Sequence, residues 1–292
     1  MKTQKTAYIF ILPSMLILSV FVFVPLASSL CISLLNIDIF MQDISFAGFR
    51  NFRHIFSDER IKNATWNTLY FTVMEVPLQI VASLVIASAL AKNTFLCKAL
   101  RGIYYIPFVC SMTAIGIIWS MLLDPNMGLL PYWLRFSGLP AVSFLKDPNL
   151  AMPTVALITA WKGFGYTVTL LSAAILMVPV SLYEAAGIDG AGFIGKFLHI
   201  TIPGIKTAIG FCIVTNIISS LQVFDQTYVM TKGGPSFRTE TLVQYIYDRG
   251  FQTAPYDLGY ASAISLYLFV IVAIITFLLR RFVINEHREE KI

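Results

Sequence analysis

Apolar residues gather along this chain into six long runs, at roughly 7–35, 67–91, 102–123, 153–178, 207–229 and 258–279. About 20 apolar residues carry an α-helix across the hydrocarbon of a bilayer, so each run predicts one membrane-spanning helix. The first run is long enough to tilt or to continue past the membrane, and Pro13 and Pro25 predict kinks within it. Lys2 and Lys5 ahead of it and the small residues at 25–30 resemble a secretory signal. The apolar stretch is nevertheless far longer than the 7–15-residue core of a signal peptide, so it reads as an uncleaved anchor.

Composition sharpens this picture. Hydrophobic residues make up 57% of the 292 positions and charged residues 13%, and the mean hydropathy is +0.74. Soluble domains carry about 25% charged residues, so a water-facing surface cannot be covered. Soluble enzymes, secreted disulfide scaffolds and disordered chains are excluded. The predicted fold class is an all-α membrane protein of six transmembrane helices. The net charge of +5 is no nucleic-acid signature, because the basic residues lie beside apolar runs without forming a patch. Cys31, Cys97, Cys110 and Cys212 have no CxxC spacing and no histidine partner, so they read as small apolar residues. His54, His199 and His287 are scattered, so no metal site is expected. With the N-terminus inside, the inner segments hold 11 Lys and Arg in 57 positions, against 9 in 88 outside. The positive-inside bias therefore places both termini in the cytoplasm.

The inner segment between runs four and five, VPVSLYEAAGIDGAGFIGKFLHITIPGIK, is the most informative. Ser181 and Glu184 have capping-box spacing, which predicts a helix starting near Leu182. Gly190 or Gly192 would let the chain turn. Phe193, Ile194, Phe197, Leu198 and Ile200 then recur at helical spacing, with Pro203 as the expected limit. Ala185 and Ala186 leave a flat surface that another protein can approach. The stretch GAGFIGK at 190–196 has the glycine and lysine spacing of a phosphate loop. However, Phe197 stands where a magnesium-binding hydroxyl is needed and no strand precedes it. Nucleotide binding by this chain is therefore not expected.

Glu184, Ala185 and Ala186, then Gly190 after three residues, Ile200 after nine more, and Pro203 resemble the signature loop of ABC importer permeases. Ile202 stands where the usual residue is Leu. LQVFDQTYVMTKGGP at 221–235, Thr239, the run at 245–251 and GYASAIS at 259–265 are similar to the maltose-type sugar permeases, so the resemblance covers nearly the whole chain. The 31 residues between the first two runs leave no room for the extra spans and large external loop of the maltose subunit itself, so the likeness is to six-span relatives. The resemblance implies a chain divided into an anchor with a first external loop (1–66), a core permease domain (67–285) whose coupling loop is 179–206, and a short tail (286–292). It implies a second, different permease as partner, two cytosolic ATPases that bind MgATP, and an extracytoplasmic solute-binding protein. It also implies residence in a bacterial cytoplasmic membrane. Glu184, Ala185, Ala186, Gly190, Phe193, Ile200 and Pro203 would form the surface that couples to the ATPase. No cofactor is implied for this chain.

Charge inside a bilayer costs about 2.5–3.5 kcal/mol at a helix centre on insertion scales, so it faces a cavity or a partner. In the second run Thr68, Thr72, Glu75, Gln79 and Ser83 fall within an arc of about 80° at 100° per residue. They serve either a solute or interhelical hydrogen bonds. In the fourth run Thr159, Lys162, Tyr166 and Thr169 share one face, Trp161 points away, and Gly163 and Gly165 allow close approach or irregular backbone. Lys162 either binds solute or pairs with Glu75. In the fifth run Asn216, Ser219, Ser220 and Gln226 span about 120°, with Asp225 on the opposite side. Amides suit a neutral polyol because each carries donor and acceptor. Gly233, Gly234 and Pro235 form either a tight turn or, by the resemblance, an outer gate. An ion-coupled transporter acting without an ATPase would instead use Glu75, Lys162 and Asp225 as a relay. The absence of HExxH, GxSxG and paired acids leaves no catalytic residues to name. The scarcity of intramembrane arginine disfavours a phosphorylated solute.

Overall fold

The computed structural model describes residues 2–41, 44–140 and 142–289, with side chains over 10–281 of these. Among the described residues three helices are long and apolar enough to cross a bilayer: Phe10–Ser33, Glu59–Leu90 and Leu258–Arg281. Three pairs of helices, each bent at a break, are long and apolar enough together: Phe95–Val109 with Met112–Leu122 (92°), Ala151–Leu176 with Val180–Ile188 (71°), and Phe193–Gly204 with Lys206–Leu221 (71°). Counting each pair once gives six.

Two expected spans are therefore not continuous rods. The run at 102–123 breaks after Val109, where Cys110 and Ser111 turn extended. The run at 207–229 ends its helix at Leu221 and resumes as a short helix, Asp225–Met230. Straight and broken crossings bury the same apolar residues, so hydropathy does not separate them. The helix Leu258–Glu289 runs on beyond the predicted span, and 290–292 of the expected tail lie outside the described residues.

The chain forms two compact units. The first comprises the residues up to Lys62 together with Tyr245–Ile271. Leu35–Asn36 and Ser45–Phe46 pair antiparallel in it. The Asn51 amide donates to the carbonyls of Ser33 and Leu35, both at 3.0 Å. Asp58 caps the helix Glu59–Leu90 by accepting the Arg60 N–H at 2.9 Å. Its other oxygen accepts the hydroxyls of Tyr245 at 2.7 Å and Tyr260 at 2.8 Å. Arg60 is ion-paired with Asp248 at 2.9 Å. Burial raises the Asp58 carboxyl, but the hydrogen bonds from Tyr245, Tyr260 and the backbone outweigh it and hold the group below its ordinary 3.8. The same partnership, together with burial, pushes the Tyr245 phenol up.

The second unit holds two apolar cores. One gathers Val76, Ile80, Ala87, Val168, Leu171 and Cys212. The other gathers Phe71, Ile115, Met152, Val155 and Val223. Phe95–Val109 packs so tightly on Ala151–Leu176 that a Cβ on Gly165 would collide with the backbone of Tyr104 and Tyr105. Such close backbone approach through small residues is the usual way helices associate in lipid.

Candidate translocation site and signature loop

The polar stripe of Glu59–Leu90 is buried from Thr68 to Ser83, each member 9% exposed or less. Its Thr68 end is structural. Thr68 accepts the Leu242 N–H at 3.0 Å, and Thr72 accepts the Ser220 hydroxyl at 3.1 Å. Farther in, the Gln79 amide donates to Thr167 at 2.9 Å and to Asn216 at 3.1 Å. That amide lies against Gly163, where a Cβ would displace it. The close approach expected of Gly163 and Gly165 is thus what both provide. Glu75 is 4% exposed, and its Oε2 has no hydrogen-bond partner.

Among the described residues Glu75 and Lys162 form no ion pair. Lys162 Nζ instead donates to the Phe108 carbonyl at 3.0 Å and stands 5.5 Å from the Phe108 ring centroid. The break after Val109 explains this choice. The last carbonyls of a helix lack intrahelical donors, and at membrane depth such a group must be satisfied by the protein. A cation at a helix C-terminus also meets a favourable dipole. Phe108 in turn stacks on Tyr166, with ring centroids 5.2 Å apart at 23°.

These groups surround one cavity of about 360 Å³. All eight residues expected on the pathway line it: Glu75, Gln79, Lys162, Tyr166, Asn216, Ser219, Ser220 and Gln226. The arc argument placed Gln226 on the same helix as Asn216. The break at 222–224 puts it on the next short helix, yet both reach the cavity. Asp225 does not line it, nor does Trp161, which meets Trp119 edge-on at 5.7 Å. Sequence reasoning missed Phe71, Phe108, Thr215 and Val223. An aromatic in an apolar run carries no signal that distinguishes cavity wall from lipid face.

The segment after Met230 is pinned rather than a simple turn. The amides of Asn63 and Asn67 each donate to the Phe237 carbonyl at 2.8 Å, and Asn67 also donates to the Glu240 carbonyl at 2.9 Å. Thr239 donates to the Gly234 carbonyl at 2.7 Å, and Thr241 to that of Val223 at 2.9 Å. Lys232, Ser236 and Phe237 adopt positive φ here, a conformation that persists only when surrounding contacts impose it. Gly234 and Pro235 border a second cavity, beside Asp124 and Lys146.

In the inner loop the helix is Val180–Ile188, and no side-chain cap forms at its start. The Ser181–Glu184 capping box is therefore not made: the helix begins two residues earlier than expected, after Pro179, and Ser181 lies inside its first turn. Gly190 ends it at φ +79°, with the Ala191 N–H returning to the Ala186 carbonyl at 2.8 Å. This is a Schellman closure, for which glycine is suited. The second helix starts at Phe193, widens over Phe197–Thr201 and continues through Pro203 to Gly204. Pro203 sits in the turn after the widened stretch instead of ending it. Tyr183 and Thr201 hydroxyls meet at 3.0 Å and tie the two helices together. Ile200 packs on the first apolar core. Glu184 and Ala185 are exposed, Ala186 is half-buried, and Ile188 and Phe193 are 89% and 71% exposed. Apolar side chains so far from any core mark a contact surface.

Broken spans closed around a polar cavity are the architecture of a type I ABC importer permease. The crystal structure of a bacterial alginate ABC transporter in complex with an alginate pentasaccharide-bound periplasmic protein contains a chain that superposes with a TM-score of 0.80 at 25% identity, covering 96% of this chain and 94% of that one. The chain belongs to the family of binding-protein-dependent transport system inner membrane components, matched over residues 79–284. It is 30% identical over 279 residues to the probable ABC transporter permease protein YurN of Bacillus subtilis, covering 94% of each chain. It is 32% identical over 276 residues to the lactose transport system permease protein LacF of Rhizobium radiobacter, covering 93% and 91%. The protein is thus a multi-pass permease subunit of a binding-protein-dependent importer.

Proposed function

We propose that this permease carries a neutral sugar, an oligosaccharide or related polyol, through the cavity around Glu75 and Asn216. The observation that carries the reading is the cavity's chemistry. It combines a stacked aromatic pair, Phe108 and Tyr166, with the amides of Gln79, Asn216 and Gln226 and the hydroxyls of Ser219 and Ser220. Ring faces suit the apolar side of a pyranose, and amides answer hydroxyls as both donor and acceptor. The lactose permease LacF supports a neutral sugar, and the transporter of the acidic polysaccharide alginate supports a carbohydrate without deciding its charge. The chain forms half of the pathway, beside a second, different permease. An extracytoplasmic binding protein delivers solute to it, the segment at Gly233, Gly234 and Pro235 serving as outer gate. Both termini lie in the cytoplasm. Two cytosolic ATPases hold MgATP and dock on the loop of Glu184, Ala185, Ala186, Gly190, Phe193, Ile200 and Pro203. The exposed Ile188 and Phe193 support that docking. An ion-coupled transporter is disfavoured because the family and the relatives are those of binding-protein-dependent importers.

The test is co-expression with the candidate ATPase and second permease, reconstitution in vesicles, and sugar-stimulated ATP hydrolysis in the presence of the binding protein. Stimulated hydrolysis coupled to uptake is expected. Uptake by the chain in vesicles without any ATPase would overturn the reading in favour of ion coupling.

A further inference from the structure

At the root of the signature loop lies a third cavity, of about 350 Å³. Its polar lining comes from Ser88, Lys92, Tyr183, Lys196 and Thr201. It has two cations and no carboxylate. Among the described residues neither lysine has an ion-pair partner. Lys196, the last residue of the GAGFIGK run, has no role in the translocation reading. Its ammonium lies over the loop helix, 3.0 Å from where a Cβ on Gly187 would stand. The rim of the cavity is apolar and uncovered: Leu176 is 44% exposed and Val180 67%. A small soluble anion would satisfy the lysines and leave this rim bare. A phosphate joined to hydrocarbon satisfies both.

We propose that this cavity binds the phosphate of an anionic phospholipid headgroup, held by Lys92 and Lys196, with the lipid's apolar part against Leu176 and Val180. Basic pockets at the cytoplasmic ends of membrane helices suit such headgroups, and that leaflet is the anionic one. The inference rests on the orientation given above, which puts the loop on the cytoplasmic side. A lipid seated here touches Tyr183 and Phe193 on the two helices of the ATPase-docking surface, so it stiffens that surface from the membrane side.

The experiment uses the assembled importer in nanodiscs of phosphatidylglycerol or of phosphatidylcholine. Retained lipid is counted by native mass spectrometry after detergent exchange. Retained phosphatidylglycerol is expected on the permease. Lys92→Gln and Lys196→Gln should each lower its retention about fivefold, the worth of one lysine at an anionic surface. Lys98→Gln, an exposed lysine of the same segment outside the cavity, should leave it unchanged. Ser88→Glu, which puts a negative charge into the cavity, should also expel the lipid. Unchanged retention in the Lys92 and Lys196 variants, or an equal loss in Lys98→Gln, overturns the proposal. Millimolar inorganic phosphate that protects phosphatidylcholine discs as well as the lipid does would assign the site to a soluble anion and also overturn it. If no ATPase assembles with the chain, the coupling reading fails, while lipid counts on the purified chain still decide this one.

Discussion

Lys162 and Glu75 share a cavity wall without sharing a proton or an ion pair. Lys162 closes a helix end, whereas Glu75 offers an oxygen with no protein partner. Their substitutions should therefore not compensate. Lys162→Met removes the charged donor of the Phe108 carbonyl, which costs about 0.5–1.5 kcal/mol, so folded yield by fluorescence-detected size exclusion should drop. Glu75→Gln preserves shape and should keep the yield while reducing uptake. The double variant should fold no better than Lys162→Met alone, and recovery to wild-type yield would restore the ion pair as the explanation. Asn216 accepts from Gln79 and also faces the cavity, while Asp225 does not line it. Loss of one hydrogen bond is worth about 0.5–1.5 kcal/mol, or roughly two- to twelvefold. Sugar uptake should fall by that factor in Asn216→Ala and stay near wild type in Asp225→Asn, as measured with radiolabelled solute.

Elements were less legible than residues. The six apolar runs and the polar stripe from Thr68 to Ser83 follow from composition and 3.6-residue spacing, and the structure contains both. The breaks after Val109 and Leu221 do not follow, because burial in lipid does not require continuity. Hence Lys162 offered two readings by sequence, solute or Glu75, and the freed Phe108 carbonyl is a partner that neither reading named. The start of the loop helix was misplaced for a similar reason. A capping box is a local preference, and here Pro179 begins the helix without it. Its end is better determined: Gly190 at φ +79° admits other residues only with strain. Gly190→Ala should cost about 1–2 kcal/mol of local conformational energy. The complex should still assemble, and sugar-stimulated ATP hydrolysis should fall severalfold. Wild-type stimulation would show that the Schellman closure does not shape the docking surface.

At the scale of the molecule, one carboxylate ties together segments 187 and 202 positions away in the chain, through Tyr245 and Tyr260. No motif announces it, because Asp58 is an ordinary loop acid until the fold brings two phenols to it. Its folded pKa is depressed, so its contribution is present above the ordinary 3.8 and disappears as pH falls through the lowered value. The melting temperature of Asp58→Asn should lie below wild type at neutral pH, and the gap should close in strong acid. A constant gap across pH would assign the loss to shape rather than charge. The break after Val109 carries one more consequence. A chain that interrupts its own backbone ladder at membrane depth makes a place where liquid water is at home. At about 30 Å³ per molecule, the 360 Å³ cavity accommodates on the order of ten waters. A sugar arriving there trades its hydroxyls for theirs, nearly one for one. The net gain of that exchange is small by construction, so the passenger is held loosely enough to be let go on the other side.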